Sequence, residues 1–355
     1  MKLIKFENEK KYIRDFVKLP KILYSSNENM ENPDTMKKIL LGKHPLSNYF
    51  KLDKFLILDD KDKAIGRFCI TTYEDDNAAY LGFFECIKDK ETAKFLFDKA
   101  DEFCKEHHYE KIQGPVDASF WIKYRLKINK FETPYTGEPY NKDYYFDLFK
   151  ENGYEVKEHY TSNVFRSIDE TYVNEIFEER FKAFTANGYE IRSLREGEFD
   201  KAIDDVYRLL MVLYSDFPIF KNVGIEDFRK VFMSYEQIMD ISMTKLAYFK
   251  GEVVGFYISI PDYGNLVYHT SNPFNIIRII KAKKKPKRFI MLYMGVDQQH
   301  KGLGKALVYA IMKELKVNGL PSISALIRDD RINQKYARED ITDIYEYVLL
   351  EKKVR

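Results

Sequence analysis

The sequence predicts a mixed α/β fold that is built twice along the chain. Short apolar runs typical of strands alternate with longer segments in which apolar residues recur every three or four positions, as in amphipathic helices. The order of these elements in residues 1–167 returns in residues 188–355. A chain of 355 residues, 45% of them apolar, can bury two hydrophobic cores. We therefore expect two tandem domains, each with a mixed sheet and helices, joined by a linker helix over 168–187.

The apolar pattern of the first half predicts a hairpin, a buried strand and a helix. A strand, a helix and a closing strand follow. Apolar residues at helical spacing define the first helix, and Gly153 ends the second one. In chain order the predicted elements are two paired strands (55–58 and 64–71), a strand (80–87), a helix (91–107), a strand (111–116), a helix (144–152) and a closing strand (156–165).

A capping-box pattern marks the linker between the halves. In Ser167-Ile168-Asp169-Glu170 a serine is followed three residues later by a glutamate, the pairing that satisfies the N–H groups of a helix N-terminus. The pattern predicts a helix from Ser167 to Ala186, which Asn187-Gly188 would end. We place the domain boundary at this helix.

The second half contains the clearest strand and helix signals. The turn Lys250-Gly251-Glu252 predicts a hairpin, and the continuous apolar run over 289–294 predicts a strand buried on both faces. Asn318-Gly319 would end the helix that follows. The predicted elements are two paired strands (246–249 and 253–260), a strand (289–294), a helix (303–318), a strand (322–327), a short helix (332–339) and a last strand (341–350).

Composition and charge exclude several classes of protein. The net charge of +2 is too small for a protein that binds nucleic acid over its whole surface. Cys69, Cys86 and Cys104 do not have the spacing of metal ligands, so we expect reduced thiols and no metal site. The chain lacks the apolar core of a signal peptide and any run of about 20 apolar residues. We therefore expect a cytoplasmic protein.

The hexad Gln299-His300-Lys301-Gly302-Leu303-Gly304 is the most specific motif in the chain. It lies between a predicted strand and a predicted helix, where glycines let an anion approach the backbone and the helix N-terminus adds a partial positive charge. A Walker loop would need serine or threonine at Ala306, and a Rossmann fingerprint would need glycine or alanine at Leu307. We favour a pyrophosphate site of another type, and a glycine-rich turn without a ligand is the alternative.

Residues 296–307 resemble the acyl-CoA-binding motif of the GNAT N-acyltransferases, Gln/Arg-x-x-Gly-x-Gly/Ala. In that family the fourth and fifth strands separate, and the pantetheine arm of the cofactor lies between them. The resemblance implies two tandem GNAT-like folds, with 289–296 and 322–327 as the separating strands. It also implies acetyl-CoA or a longer acyl-CoA as the acyl donor, without a metal ion. The cofactor-binding residues that it implies are Met294, Val296, Gln299, Lys301, Gly302, Leu303, Gly304 and Lys305.

The first half is similar to the same family but lacks the phosphate loop. Residues 148–154 resemble the Tyr-x-x-x-Gly-Phe ending of the family's last helix, with Phe149 in place of the tyrosine. The hinge over 84–90 has no glycine and carries two carboxylates where a pyrophosphate would lie. We therefore expect a degenerate copy over 1–167 that does not bind CoA, and a CoA-binding domain over 188–355.

Tyr336 is the candidate general acid. The segment from Tyr336 to Ile341 resembles the family's Tyr-x-x-x-Gly-Phe, with Asp340 in place of glycine. The resemblance implies that this tyrosine protonates the departing thiolate, and a packing role on a short helix is the alternative. It also implies that a backbone N–H near Met294 or Gly295 stabilises the oxyanion.

The sequence does not identify a general base. One is needed because an alkylammonium ion with a pKa near ~10 is not a nucleophile. Many family members have a glutamate on the fourth strand, but residues 288–295 contain no carboxylate. The candidates that remain open are Asp216, Glu226, Asp262 and His269.

A long insertion precedes the strand at 289. Residues 272–280 are mostly apolar, and six of the eight residues in 281–288 are positively charged. This combination is typical of a segment that lies on an anionic membrane surface, here the inner face of the membrane. The alternatives are a solvated run of charges and attraction of the 3′-phosphate of CoA or of tRNA.

Several features are similar to one bacterial group with GNAT-like domains. They are the two-domain layout, the insertion, Gly114-Pro115-Val116-Asp117 with Trp121, and residues 140–145. Acylation of a lipid amine, as in bacterial ceramide synthesis, is one role implied within that group. The aromatic segment 120–145 would then line an acceptor pocket, and core packing is the alternative.

Together these observations predict an N-acyltransferase that moves an acetyl or longer acyl group from acyl-CoA to a primary amine, on a small molecule or a lipid. Three other functions remain open. They are a non-catalytic acyl-CoA sensor, an aminoacyl-tRNA-dependent transferase and a peripheral membrane adaptor.

Overall fold

The computed structural model describes residues 1–331 and 336–354, which form two compact units. Unit 1 consists of Met1–Tyr160 together with Glu346–Arg355, and unit 2 is Thr161–Tyr345. Two strands therefore contribute residues to both units. The domain boundaries that the sequence suggested, at residues 167 and 187, remain a proposal.

Unit 1 is built from a mixed sheet and five helices within the described residues. Its strands are β1 (Lys2–Phe6), β2 (Lys51–Leu58), β3 (Ala64–Thr72), β4 (Ala78–Cys86), β5 (Lys111–Gly114), β6 (Val116–Asp117), β7 (Lys123–Tyr124), β8 (Leu126–Lys127) and the first part of β9 (Glu155–Phe165). Its helices are α1 (Lys10–Lys18), α2 (Pro20–Leu23), α3 (Pro33–Leu40), α4 (Lys90–Glu106) and α5 (Tyr145–Glu151).

Strand β2 shows how the sheet of unit 1 separates two cores. Phe55 and Ile57 pack in one hydrophobic cluster with residues of α4 and α5. Leu56 and Leu58 pack in another cluster with residues of α1 and α3. Successive side chains of a strand point to opposite faces, so an apolar run without alternation predicts a sheet that is covered on both sides.

The last strand of the chain, β15 (Ile341–Lys353), completes the sheet of unit 1. β1 to β4 pair antiparallel, β4 and β5 pair in parallel, and the C-terminal part of β15 pairs antiparallel with β5 and β8. The sequence predicted this strand for the second half only. Its residues Tyr347, Leu349 and Leu350 are fully buried, so the core of unit 1 depends on the end of the chain.

Unit 2 contains the remaining elements. Its strands are β10 (Tyr189–Ser193), β11 (Thr244–Phe249), β12 (Glu252–Pro261), β13 (Phe289–Val296) and β14 (Ser322–Arg328), in that order across the sheet. Its helices are α6 (Glu175–Ala186), α7 (Phe199–Leu213), α8 (Ile225–Phe232), α9 (Pro273–Lys284) and α10 (Leu303–Asn318). β10 to β13 pair antiparallel, whereas β13 and β14 pair in parallel.

The predicted hairpin between β11 and β12 is confirmed. The two strands pair from Thr244↔Ile258 to Phe249↔Glu252. Lys250 and Gly251 form the turn with φ values of 52° and 86°. Two consecutive left-handed residues make the tight turn whose twist matches that of the strands.

Two predicted helices differ from the structure. The predicted helix start at Ser167 is wrong, because α6 begins at Glu175 and the side chain of Asn174 accepts the N–H of Phe177 at 3.2 Å. Ile168 is instead buried in the core of unit 2. The predicted short helix over 332–339 lies partly outside the described residues, and a 3₁₀ turn spans Arg338–Asp340.

Candidate functional site

Strands β13 and β14 separate in the middle of unit 2. They pair at three positions, from Phe289↔Ser322 to Met291↔Ser324, although β13 continues to Val296 and β14 to Arg328. On its other side β13 has a bulge against β12, where Leu292 is the extra residue. A bulge bends and twists its strand, so the second half of β13 leaves β14 and a gap opens.

The glycine-rich loop lies at the end of β13 and is shaped by its own backbone. The N–H of Asp297 donates to the carbonyl of Val254, and the N–H of His300 donates to the carbonyl of Asp297, both at 2.9 Å. The Asp297 carboxylate accepts the N–H of Gln299 at 2.9 Å. Gly302 then precedes α10 with φ 93°, a left-handed conformation that favours glycine. The loop is thus a defined turn into the helix.

Three backbone N–H groups at the start of α10 have no protein partner in the described part of the chain. They belong to Lys301, Gly302 and Gly304. The N–H groups of Leu303 and Lys305 are used within the turn, where they donate to the carbonyls of His300 and Gly302 at 3.2 Å. The N-terminus of this 16-residue helix also carries a partial positive charge. Free donors and that charge together favour an anion.

An aromatic cluster holds the loop against the sheet. His300 Nδ1 lies 2.7 Å from the hydroxyl of Tyr189. The Tyr189 ring stacks on Phe249 with a centroid distance of 4.3 Å, and Phe184 of α6 meets it edge-on at 4.9 Å. The sequence did not predict that Tyr189, Phe249 and Phe184 support the loop, because Tyr189 precedes His300 by 111 positions and no local pattern connects them.

Tyr336 lies beside the same helix terminus. A Cβ atom placed on Gly304 would be 3.2 Å from the Tyr336 hydroxyl and 2.7 Å from Met294 Cε. The ring of Phe177 packs edge-on against Tyr336 at 5.7 Å. Burial raises the pKa of Tyr336, so its hydroxyl is protonated at neutral pH and can donate a hydrogen bond or a proton.

The other predicted cofactor-binding residues differ in exposure. Leu303 is fully buried in the core, so only its backbone borders the loop. Met294 and Val296 are half-buried in the unpaired part of β13. Gln299 and Lys301 are exposed on the loop.

Unit 1 has a comparable strand, hinge and helix, but its gap is filled by protein. β4 and β5 also pair at three positions, and β5 ends one residue later, at Gly114. The Asp89 carboxylate caps α4 by accepting the N–H of Thr92 at 2.7 Å. A Cβ atom on Gly82 would lie 1.7 Å from the carbonyl oxygen of Val116, and the Asp117 side chain accepts the N–H of Phe83. The chain after β5 therefore occupies the place that is open in unit 2.

No family model matches the chain, and no curated protein matches its sequence. Solved structures do match its fold. A tandem GNAT protein from the clavulanic acid biosynthesis pathway superimposes with a TM-score of 0.55 and 10% identity, over 100% of this chain and 98% of its own. The chain has a tandem GNAT fold. This confirms the predicted fold class, a mixed α/β fold made of two GNAT-like folds.

Two further structures share the GNAT fold. One is the glucosamine N-acetyltransferase region of a fungal multi-domain GH3 β-N-acetylglucosaminidase, with a TM-score of 0.54 and 12% identity, over 99% of this chain and 38% of that one. The other is a probable N-acyltransferase from Enterococcus faecalis V583, with a TM-score of 0.52 and 8% identity, over 99% and 72%. At these identities the likeness concerns the fold.

Three of the four candidate bases lie outside β13, β14 and the glycine-rich loop of this GNAT fold. Asp262 is at the start of the insertion, where its carboxylate accepts Arg288 Nε at 2.6 Å. Glu226 is in the first turn of α8. His269 follows a 3₁₀ turn in the insertion.

The fourth candidate, Asp216, contacts residues at and just after the end of β14. Arg331 binds both of its carboxylate oxygens at 2.7 Å, and Arg328 at the end of β14 donates to its carbonyl at 3.2 Å. Two residues earlier, the Tyr214 hydroxyl is 3.5 Å from the carbonyl oxygen of Met294. The segment after α7 thus contacts both separating strands, and its carboxylate is paired with Arg331, which follows β14.

We next consider possible metal ligands and the cysteine thiols of the described residues. They contain no cluster of three or more His, Cys, Asp or Glu side chains suited to a metal ion. The three cysteines are buried and unpaired, and burial raises the pKa of Cys86 and Cys104 to about 12. No helix in the described ranges has the length and apolar character needed to cross a membrane.

Proposed function

We propose that unit 2 binds an acyl-CoA between β13 and β14 and transfers its acyl group to a primary amine. The observation that carries the proposal is the group of free N–H donors of Lys301, Gly302 and Gly304 beside the opened strand pair. These donors would hold the pyrophosphate, and the ammonium groups of Lys301 and Lys305 would add charge. The same loop would position the cofactor without a metal ion.

The pantetheine arm would lie along the free edge of β13. From Leu292 to Val296 this strand no longer pairs with β14. Backbone N–H and C=O groups at such an edge need hydrogen-bond partners when water is excluded. The amide groups of pantetheine would be these partners, as the backbone of an added strand would be. Met294, half-buried and next to Gly304, would border the thioester end.

The transfer itself needs three groups. The neutral amine attacks the thioester carbonyl carbon, the carbon–sulfur bond breaks, and the departing thiolate takes up a proton, while the new amide nitrogen loses one that would return to the acid. We assign that proton to Tyr336, whose raised pKa keeps its hydroxyl protonated beside the loop. A backbone N–H near Met294 or Gly295 would stabilise the oxyanion. Asp216 would accept the proton of the ammonium, directly or through water.

The filled gap in unit 1 supports one acyl-CoA site per chain. Backbone atoms of Val116 approach β4 at Gly82 too closely for a cofactor arm to pass. The helix that follows β4 is capped by the carboxylate of Asp89, which would repel a pyrophosphate. Unit 1 would then serve as a scaffold.

Binding of CoA to two matched glycine variants tests the proposal. Gly302 and Gly319 lie at the two ends of α10, both in the left-handed region, with φ values of 93° and 61°. Gly302→Val should abolish CoA binding in calorimetry, because the loop can no longer present its donors. Gly319→Val strains the same helix at its far end and should bind CoA as the wild type does.

Either of two results would overturn acyl-CoA binding: a wild-type protein that binds no CoA, or a Gly302→Val variant that binds it as tightly as the wild type. Thermal unfolding of both variants shows whether they remain folded. Comparing the two variants distinguishes a local change in the glycine-rich loop from a general destabilisation of α10.

A second candidate function is acyl-CoA binding without turnover. The observation that favours it is that β13 carries no carboxylate and that both oxygens of Asp216 are engaged by Arg331. A panel of primary amines with acetyl-CoA and a long-chain acyl-CoA, followed by mass spectrometry, separates the two functions. Acylated amine supports the transferase, and CoA binding without product supports the sensor.

A further inference from the structure

The insertion before β13 exposes an apolar helix surface. None of the residues of α9 is buried. The side chains of Phe274, Ile276, Ile277 and Ile280 are 73%, 46%, 62% and 52% exposed; we call these four residues the apolar face. A helix of a globular protein normally turns such residues towards the core. In α9 the less exposed side is instead formed by the half-buried residues Asn275, Ile279 and Ala282.

The apolar face is continuous over residues 274–280, and Lys281 and Lys284 extend the same side of the helix towards its C-terminus. At about 100° per residue, its four side chains fall within an arc of about 160°. The helix is held in this orientation by its N-terminal turn, where the Asn272 side chain accepts the N–H of Phe274 at 3.1 Å and the Asn275 amide donates to the His269 carbonyl at 3.0 Å. The apolar face therefore belongs to a helix whose N-terminal turn is fixed by hydrogen bonds.

Positive charge surrounds the apolar face. Five basic side chains are exposed and form no ion pair or hydrogen bond among the described residues, namely those of Arg278, Lys281, Lys284, Lys285 and Lys287. Lys283 donates to the Gln237 carbonyl, and Arg288 pairs with Asp262. No aspartate or glutamate occurs between Asp262 and Asp297. In a chain with a net charge of only +2, this is a concentrated cationic patch.

We propose that α9 and its basic continuation to Arg288 dock on an anionic lipid surface. Such a surface has negative headgroups above an apolar layer, so it satisfies the cations and covers the apolar face at once. A nucleic acid would neutralise the cations but leave four large apolar side chains in water. A symmetric contact with a second copy would bring two cationic patches together.

Docking leaves the glycine-rich loop accessible. The basic continuation enters β13 at Phe289, and the loop begins at Asp297, after a strand of eight residues. At about 3.3 Å per residue the two features are about 25 Å apart. If the proposed transferase function holds, on which this last point rests, docking would bring unit 2 to amine acceptors at a membrane surface.

Sedimentation with vesicles tests the docking in the absence of acyl-CoA. The full chain is mixed at low salt with vesicles of phosphatidylcholine alone or with one quarter phosphatidylglycerol. We expect binding to the anionic vesicles only. Ile277→Asp should weaken that binding at least tenfold. Ile176→Asp is the matched control, since Ile176 is 60% exposed on α6, which like α9 has 12 residues, and it should bind as the wild type does.

A charge variant tests the cations separately. Lys281→Gln, Lys284→Gln and Lys285→Gln together should remove both the preference for phosphatidylglycerol and the weakening by salt, because screened attraction to the surface is lost. Equal binding by wild type and Ile277→Asp, equal binding to both vesicle types, or binding of RNA or of a second copy without binding of vesicles would overturn the proposal. Because no acyl-CoA is present, a negative result here is independent of the CoA-binding experiment.

Discussion

Gly302 and Gly304 are needed for different physical reasons, although the motif presents them as a pair. At Gly302 the backbone conformation is the constraint, because φ is 93° while the nearest atom to an added Cβ is 3.8 Å away. At Gly304 space is the constraint, because an added Cβ would meet Met294 and the Tyr336 hydroxyl. The second glycine therefore makes room for the residue that we propose as the acid.

We predict that Tyr336→Phe lowers kcat of acyl transfer at least tenfold and leaves CoA affinity unchanged. The hydroxyl would be needed when the thiolate departs, whereas the pyrophosphate would be held elsewhere. Since the pKa of Tyr336 is raised, the wild-type rate should not fall from deprotonation of this group until the pH exceeds 10. Unchanged turnover by the variant on a true substrate would remove Tyr336 from the mechanism. Tyr309→Phe on α10 is the control.

Glu85 of unit 1 is a buried carboxyl group with a strongly shifted pKa. Desolvation raises the pKa of Glu85 to about 7, against the opposing attraction of Arg67, whose guanidinium lies 3.7 Å away and also binds Glu31. The Tyr145 hydroxyl donates to the Glu85 carboxyl at 2.6 Å. Because its folded-state pKa is raised, Glu85 stabilises the folded chain when protonated, and that stabilisation is lost as the pH rises through 7.

We predict that Glu85→Gln flattens the pH dependence of the unfolding free energy. Between pH 4.5 and pH 7 the wild type should lose, relative to the variant, on the order of 2–3 kcal/mol. Urea unfolding at several pH values measures this difference. Glu106→Gln, an exposed change on α4, should leave the wild-type dependence intact. A Glu85→Gln profile that parallels the wild type would show that Glu85 titrates normally.

At the scale of elements, the linker shows that a local cap signal can be overridden by packing. Ser167-Ile168-Asp169-Glu170 has the pattern of a capping box, yet burial of Ile168 in the core of unit 2 keeps this stretch out of the helix. Asp169 instead accepts the N–H of Thr171 at 2.9 Å in a turn. The helix begins later, at a second cap residue, Asn174.

Substitutions at the observed cap residue, Asn174, and at the predicted one, Ser167, distinguish these starting points. Asn174→Ala should lower the unfolding free energy by about 1 kcal/mol, because the N–H of Phe177 loses its acceptor. Ser167→Ala should change it by less than about 0.5 kcal/mol, as an exposed residue without a capping role does. Urea unfolding compares the two. A larger loss in Ser167→Ala than in Asn174→Ala would contradict the observed start of α6.

At the scale of the whole molecule, chain order and three-dimensional units do not coincide. The first unit ends with the last strand of the chain, which pairs with β5 from Leu350↔Gly114 to Lys353↔Lys111. A strand was predictable over 341–350, but its partner was not, because pairing is decided by which sheet edge is free. Both units nevertheless contain two parallel strands that pair at only three positions and are joined through a helix.

The sequence by itself determined the mixed α/β class, the hairpin of unit 2 and the position of the glycine-rich loop. These follow from periodicity and from backbone preferences of single residues, which act over a few positions. Only the tertiary structure decided which loop N–H groups are free, that Tyr336 meets Gly304, that the segment carrying Asp216 contacts both separating strands and that the apolar face of α9 is uncovered. Each of these depends on contacts between residues far apart in the chain, and no local pattern encodes them.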